Sequence, residues 1–256
     1  MSEPASEPKA RSDPLEGYRA STATYRGKRR DVFRAGSGPA VVVIHEVPGI
    51  TPAVADFGRK VADAGCTAVL PSLFGEPGKA PTTAYGLARL VGVCVSREFT
   101  AFRRGQASPI TVWLRDLARD AHAECGGPGV GVVGMCATGG FALAMMVDDT
   151  VLAPVLSQPS LPAAVTRRQK ADLGLSADDL ALVKERVAGG TCVLGLRYKD
   201  DPLVPEARFQ RLRDELGAGF EAVEFDGRQH SVLTEHLQPE GVARVIEFLR
   251  ERLEVA

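Results

Sequence analysis

Short apolar runs alternate along most of the chain with longer stretches in which apolar positions recur at helical spacing. The run at 40–45 (Ala-Val-Val-Val-Ile-His) is apolar on both faces up to its last residue. A run of this kind that is followed by a helix is typical of a buried parallel strand. The pattern therefore predicts a sheet whose central strands are covered on both sides.

Strands and helices are predicted to alternate after this first central strand. The predicted strands lie at 67–70, 130–133, 151–156, 192–196 and 220–225, and the predicted helices at 54–64, 110–125, 137–146, 177–187, 205–216 and 239–253. A hairpin with strands at 22–25 and 31–34 precedes them. The fold class is therefore predicted to be α/β, with a mostly parallel central sheet flanked by helices on both faces.

The remaining segments set the predicted domain organisation. Residues 1–20 are rich in proline, serine and charge, which predicts a disordered leader. No repeat or linker follows, so 21–256 is predicted to be a single domain. The segments 72–107 and 157–175 fit the alternation poorly, and each follows a strand, where open α/β sheets bind ligands.

Charge and composition exclude several classes of partner. The 256 residues carry 31 Lys+Arg against 32 Asp+Glu, a net charge of −1. A chain with this charge balance has no net positive potential that would attract nucleic acid or an anionic membrane. No apolar run approaches the roughly 18–20 residues of a membrane span. We expect a small-molecule substrate and a monomer or small homo-oligomer.

Five cysteines stand at 66, 94, 125, 136 and 192, and no two have C-x-x-C spacing. This argues against a disulfide framework and against a zinc site built from clustered thiols. The N-terminus lacks the basic start and apolar core of a secretory signal, so we expect a cytoplasmic protein. Each cysteine is then either buried filler or a working thiol.

The segment 129–141 contains the candidate nucleophile, and two interpretations compete for it. Gly129, Gly131 and Gly134 have the spacing of a dinucleotide fingerprint, but they fall within the predicted strand and after two earlier strand–helix units. The alternative is a nucleophile elbow, Gly134-x-Cys136, at a strand-to-helix turn. A cysteine there is activated by the helix N-terminus, whereas elsewhere it is usually a small buried apolar residue.

A thiol nucleophile needs a base and a carboxylate that orients the base. Asp200 and Asp201 follow the predicted strand at 192–196, and His230 follows the strand at 220–225. All three stand just beyond the carboxyl end of a strand, in the order nucleophile, acid, histidine that this elbow requires. His45 ends the first central strand and is interpreted as structural.

Four segments together resemble the dienelactone hydrolase family of α/β-hydrolases. They are His45-Glu46-Val47-Pro48-Gly49-Ile50, Gly134-Met135-Cys136-Ala137, Asp201-Pro202-Leu203-Val204-Pro205 and Gln229-His230-Ser231. The matching segments occur in the expected order, and the resemblance covers about residues 25–256. It implies the α/β-hydrolase fold, a carboxylic ester hydrolase of the carboxymethylenebutenolidase type, and neither a metal nor a cofactor.

The resemblance also implies a role for each matching residue. Cys136 is the expected nucleophile, His230 the general base and Asp201 its orienting acid, since Asp201 stands in the D-x-x-V-P spacing. Glu46 matches a glutamate that contacts the resting thiol and helps convert it to thiolate when substrate arrives. The oxyanion hole is expected from two backbone N–H groups, those of Val47 and Ala137.

Two positions depart from the family pattern. The elbow usually reads G-x-C-x-G-G, but Thr138 stands where the first glycine of the trailing pair is expected, which predicts a modified elbow. Members that process dienelactone carry an arginine four residues after the histidine, where this chain has Thr234. A replacement anion site is expected from the basic segment that holds Arg97, Arg103 and Arg104, unless that segment is simply solvated.

The sequence thus predicts a cysteine-dependent hydrolase of small carboxylic esters or lactones. Two alternatives are a non-catalytic α/β-hydrolase fold that binds a ligand, and an acyltransferase or thioesterase that uses the same residues.

Overall fold

The computed structural model describes residues 13–95, 108–160 and 166–256. Their strands form one eight-stranded sheet in the order β1-β2-β4-β3-β5-β6-β7-β8. The strands are β1 (Arg19–Tyr25), β2 (Lys28–Gly36), β3 (Ala40–Ile44), β4 (Thr67–Pro71), β5 (Val130–Met135), β6 (Val151–Ser157), β7 (Val193–Tyr198) and β8 (Phe220–Phe225). The two pairings that involve β2 are antiparallel, and every pairing from β4 to β8 is parallel.

Helices cover both faces of this sheet. The α-helices of the described residues are α1 (Pro52–Asp63), α2 (Thr83–Val95), α3 (Pro109–Cys125), α4 (Gly139–Met145), α5 (Arg167–Lys170), α6 (Ala177–Ala188), α7 (Glu206–Leu216) and α8 (Pro239–Leu253). None of them combines the length and apolar character that a membrane crossing requires. The predicted α/β fold class with a mostly parallel sheet is confirmed.

The alternation of side chains along β3 explains why both faces are covered. Its five residues are fully buried: Val41 and Val43 pack in the core with α1 and α8, whereas Val42 and Ile44 pack in the core with α3 and α4. Successive side chains of a strand point to opposite faces. A strand that is apolar at every position therefore needs a layer of helices on each side.

The structure differs from the predicted boundaries at several points, and the two largest differences concern the leader and the segment 72–107. Strand β1 begins at Arg19, and the Tyr18 hydroxyl donates to the Ala55 carbonyl at 2.7 Å, so ordered chain begins inside the segment expected to be a leader. Residues 1–12 of that segment lie outside the described residues. Helix α2 occupies part of the segment 72–107, which showed no clear alternation.

The parallel strands bring the carboxyl ends of β3, β5, β6, β7 and β8 to one edge of the sheet. This edge is where open α/β sheets bind ligands. The residues that follow these five strands build the candidate active site.

Candidate active site

Cys136 lies between the end of β5 and a single 3-10 turn (Cys136–Thr138) that leads into α4. Its φ of 55° lies in the left-handed region, which is uncommon for a residue other than glycine. A positive φ at a strand-to-helix turn is typical of the elbow that was predicted here from the sequence. A Cβ at Gly134 would lie 2.4 Å from the Thr138 carbonyl oxygen, so only glycine permits this turn.

Thr138 fastens the elbow to the neighbouring strand. Its fully buried hydroxyl lies 2.8 Å from the Met135 carbonyl, 3.1 Å from the Ile44 carbonyl and 3.2 Å from the His45 carbonyl. It also accepts a hydrogen bond from the Met135 N–H at 3.1 Å. A threonine at this position therefore connects the turn after β5 to the end of β3, which a glycine does not do.

The sulfur of Cys136 contacts a serine from the loop after β6. Ser160 Oγ lies 3.2 Å from Cys136 Sγ, and the Ser160 N–H donates to the Cys136 carbonyl at 2.9 Å. Ser160 is 6% exposed. These two contacts hold the loop against the elbow and give the sulfur a hydrogen-bond partner.

His230 and Asp201 form a hydrogen-bonded pair beside the elbow. His230 Nδ1 lies 2.6 Å from Asp201 Oδ2, and Asp201 Oδ1 accepts from the Leu203 N–H at 2.9 Å. The neighbouring Asp200 is exposed, so of the two aspartates it is Asp201 that faces the histidine. Among the described residues, His230 Nε2 is buried, and Cys136 is the side chain left to interact with it.

The surroundings of His230 favour its protonated form. Burial alone would lower the pKa of His230, but the hydrogen bond with Asp201 and the interaction with Cys136 outweigh burial and raise the pKa to about 10. The side chains of Asp201 and Cys136 both stabilise the positive charge that the ring carries when it is protonated. At neutral pH the imidazolium is therefore the stable form next to the sulfur.

Glu46 lies directly after β3 and is 4% exposed. Its Oε2 accepts from Gln158 Nε2 at 3.2 Å and from Ser231 Oγ at 2.8 Å, and its Oε1 accepts from the Thr234 hydroxyl. All three donors are neutral, and no Lys or Arg of the described residues forms an ion pair with Glu46. The sulfur is hydrogen-bonded to Ser160, whereas the resemblance implied a contact from Glu46.

Gln158 connects three parts of the site and was not identified from the sequence. Its φ is 32°, its side chain is fully buried, and its backbone N–H donates to the Leu196 carbonyl at 2.7 Å. The side-chain oxygen accepts from the Val232 N–H at 3.3 Å, while the amide nitrogen donates to Glu46. The loop after β6 therefore positions both the carboxylate and the segment that carries the histidine.

His45 is a neutral structural residue at the base of the site. It is fully buried, its Nδ1 lies 2.9 Å from the Glu46 carbonyl, and its Nε2 accepts from the Leu73 N–H at 3.0 Å. Burial lowers the pKa of His45 to about 4, so the ring is uncharged at neutral pH. It ties the end of β3 to the end of β4.

The two residues expected to form an oxyanion hole follow the ends of β3 and β5, two of the strands whose carboxyl ends meet at the site. Val47 follows Glu46 after β3, and Ala137 is the second residue of the 3-10 turn. The first N–H groups of a helical turn have no acceptor within that turn. The expected substrate arginines, Arg97, Arg103 and Arg104, lie outside the described residues.

A small cavity adjoins the site behind Ser160. It is a narrow cleft, partly open to solvent, that Gly140, Pro159 and Ser160 line on the side of the site. Arg208 lines it, donating to the Pro159 carbonyl at 2.6 Å and the Asp172 carbonyl at 3.0 Å. Burial lowers the pKa of Arg208 to about 10. These bonds join α7 to the loop after β6, so Arg208 supports the loop that contacts Cys136.

Among the residues that the structure describes, one group of side chains is compact enough to hold a metal ion. It consists of Glu46, Cys136 and His230, whose donor atoms all lie within 4.8 Å of one another. Thus four residues singled out in the sequence, these three and Asp201, meet at one edge of the sheet. Sequence reasoning missed Gln158 and Ser160, for which the only signal was an irregular segment after a strand.

Solved structures of hydrolases share this fold. A candidate dienelactone hydrolase from Klebsiella pneumoniae subsp. pneumoniae MGH 78578 superposes with a TM-score of 0.65 and 17% identity, covering 93% of this chain and 99% of that chain. A dienelactone hydrolase-like promiscuous phosphotriesterase from metagenomic libraries superposes with a TM-score of 0.64 and 20% identity, and the match covers 92% of this chain and 98% of that chain. Est1E from Butyrivibrio proteoclasticus superposes with a TM-score of 0.57 and 15% sequence identity, and the match covers 92% of this chain and 99% of Est1E.

A comparison with curated proteins gave no match. At identities this low, the solved structures show a shared fold. The dienelactone hydrolase family model, by contrast, matches residues 29–244, which is most of the sequence and includes every residue of the site described above. The chain therefore belongs to the dienelactone hydrolase family.

Proposed function

We infer that this protein hydrolyses small carboxylic esters or lactones with Cys136 as the nucleophile. The observation that carries the proposal is the strained Cys136 beside His230, whose Nδ1 is held by Asp201 at 2.6 Å. A nucleophile, a base and an orienting carboxylate in this relation are the parts that covalent acyl transfer needs. Membership of the family supports the reaction class.

The first half of the reaction forms an acyl-enzyme. The Cys136 thiolate attacks the substrate carbonyl carbon, and the carbonyl electrons move to oxygen. The N–H groups of Val47 and Ala137 stabilise this oxyanion. When the tetrahedral intermediate collapses, the C–O bond to the leaving group breaks, and the His230 imidazolium donates its proton to the departing oxygen.

The second half of the reaction releases the acid. His230, now neutral, takes a proton from water, and the resulting hydroxide attacks the thioester. The C–S bond breaks, and the thiolate and imidazolium are restored. Asp201 keeps Nδ1 as a donor throughout, so Nε2 is the atom that exchanges protons. Glu46 accepts from the Ser231 hydroxyl at 2.8 Å and so positions the segment that carries His230. The sulfur is kept reduced in the cytoplasm, where we place the protein.

The proposal is tested by comparing wild type with Cys136→Ala on p-nitrophenyl butyrate and on a lactone, dihydrocoumarin. Removing the nucleophile should lower kcat/KM on the order of 10³-fold or more. Cys192→Ala is the matched control, because Cys192 lies away from the site and its loss should leave kcat/KM unchanged. Mass spectrometry of a quenched reaction should find the butyryl group on Cys136.

Equal turnover by wild type and Cys136→Ala would overturn the nucleophile assignment. A folded wild type that is inactive on both substrates would instead support a binding protein. Transfer of the butyryl group to an added alcohol in preference to water would support an acyltransferase.

A further inference from the structure

The three donors at the centre of the site form a set that zinc takes in other proteins. Zn²⁺ is bound by cysteine sulfur at about 2.3 Å, histidine nitrogen at about 2.0–2.1 Å and carboxylate oxygen at about 2.0–2.2 Å. In a tetrahedral site those bond lengths place the donors roughly 3.3–3.8 Å apart. The donor atoms of Glu46, Cys136 and His230 already lie within 4.8 Å of one another. Side-chain movements of about 1 Å would bring the three donor atoms to bonding distance from one ion.

The orientation of His230 is that of a metal-binding histidine. Its Nδ1 is engaged by the Asp201 carboxylate at 2.6 Å, and its buried Nε2 is the ring nitrogen left to interact with Cys136, itself a member of the cluster. Histidines that bind zinc commonly donate their other ring N–H to a carboxylate, which fixes the ring and strengthens the ligand. The nitrogen left available is the one that faces the cluster.

The charge and hydrogen bonds of Glu46 also suit a cation. Its carboxylate is buried and accepts only from neutral groups, those of Gln158, Ser231 and Thr234. Two of these bonds occupy Oε2 and one occupies Oε1, so Oε1 retains acceptor capacity. Together with the Cys136 thiolate, Glu46 gives the cluster a charge of about −2, which a divalent ion neutralises.

We propose that Glu46, Cys136 and His230 bind one Zn²⁺ ion, and that the bound ion reversibly blocks catalysis. On binding, the proton on His230 Nε2 passes to solvent, and the thiolate sulfur, the neutral imidazole nitrogen and a carboxylate oxygen of Glu46 each donate an electron pair to zinc. The fourth position of the ion is left to water or a small anion. The bond to zinc withdraws electron density from the sulfur, and the ion occupies the space between the sulfur and His230, so the sulfur is a poorer nucleophile and the histidine cannot exchange protons with a substrate.

Binding is tested directly, without reference to catalysis. The metal-free chain is titrated with zinc chloride by calorimetry, and with Co²⁺ while absorption is recorded. We expect one ion per chain with a dissociation constant in the micromolar range or below, and a sulfur-to-cobalt charge-transfer band. Cys136→Ser should abolish the band, and Glu46→Gln should weaken zinc binding at least tenfold. Cys192→Ala is the matched control and should bind as wild type does.

Several results would overturn the site. The metal site is wrong if zinc binds only at millimolar concentration or above, or if the cobalt band persists in Cys136→Ser. It is also wrong if wild type and Glu46→Gln bind zinc with equal affinity. Circular dichroism of each variant establishes that it is folded, and Glu46→Ala provides a second variant if Glu46→Gln does not fold.

The block of catalysis rests on the proposed function, and the same experiment separates the two. Zinc should inhibit p-nitrophenyl butyrate hydrolysis in competition with substrate, and EDTA should restore it in full. If metal-free enzyme is inactive but the cobalt band is present, the hydrolase proposal fails and the metal site stands. If the enzyme is active and binds neither metal, the metal site fails and the hydrolase proposal stands.

Discussion

Asp201 favours the protonated form of His230 mainly through one hydrogen bond. The carboxylate is almost fully buried and lies 2.6 Å from His230 Nδ1, so water screens the interaction very little. This hydrogen bond is the strongest of the influences that raise the pKa of His230 to about 10. The protonated ring is the form that can donate to a leaving group.

Asp201→Asn should move the alkaline limit of activity to lower pH. In wild type kcat/KM should fall as pH rises through about 10, where the imidazolium loses its proton. Asparagine carries no charge, so the ring should lose its proton at lower pH, and kcat/KM at neutral pH should fall on the order of 10²–10⁴-fold. The measurement is kcat/KM for p-nitrophenyl butyrate across the pH range.

Asp200→Asn provides the control, because Asp200 is the exposed neighbour of Asp201. Its pH profile should match that of wild type. If the alkaline limit of kcat/KM moves equally in Asp201→Asn and Asp200→Asn, surface charge determines the pH profile and the hydrogen bond does not.

Individual site residues were predictable where local sequence alone defines their position. Cys136 follows an apolar strand and a glycine, and His230 follows the last strand, so both were candidates before any contact was known. Gln158 was not, because a glutamine in an irregular loop carries no local signal. Its partner Glu46 is 112 residues away in the chain. Only the folded sheet brings the two together.

Among the elements, the elbow depends on its connection to β3. The Thr138 hydroxyl reaches three carbonyl groups, one on β5 and two at the end of β3. The turn and the strand that carries Glu46 therefore move together. This explains why a departure from the family glycine is compatible with an ordered elbow.

Thr138→Val should destabilise the protein by about 1–3 kcal/mol, because an isosteric methyl leaves buried carbonyl groups without their donor. Urea unfolding, followed by the fluorescence of Trp113, measures the change in free energy of unfolding. Thr138→Ser keeps the hydroxyl and loses one methyl group, so it should cost only about 1 kcal/mol. A valine variant as stable as wild type would show that the hydroxyl does not fasten the elbow.

Element prediction succeeded where the apolar periodicity was strong and failed where it was weak. The central strands and α8 agree with their predicted positions to within one or two residues. Helix α2 was missed because Gly86 and several β-branched valines weaken its helical signal. The helix predicted from 137 begins instead with a 3-10 turn, because the left-handed backbone of Cys136 delays regular α4.

For the whole molecule, the titration of His230 links the site to stability. A folded-state pKa of about 10 against an ordinary value of 6.5 means that folding strengthens proton binding. The resulting stabilisation is fully present below about pH 6.5 and is lost as pH rises through about 10. Stability and the proposed chemistry therefore depend on the same proton.

The dependence of stability on the His230 proton should be visible when the free energy of unfolding of His230→Gln is subtracted from that of wild type at each pH. Its free energy of unfolding should lie furthest below that of wild type at or below pH 6.5, and the gap should narrow steadily toward pH 10. Urea unfolding at several pH values measures both proteins under matched conditions, so the titration of other groups cancels. A gap that is constant from pH 6.5 to 10 would contradict the raised pKa of His230.

The hydrogen bond between Ser231 and Glu46 joins residues 185 positions apart. During synthesis, Cys136 leaves the ribosome long before His230, which lies 94 residues later in the chain. At about 5–20 residues per second, the delay is on the order of 5–20 s. Throughout that interval Cys136 has neither the proposed base nor a completed carboxylate network. The proposed nucleophile therefore meets the proposed base only when synthesis is nearly complete.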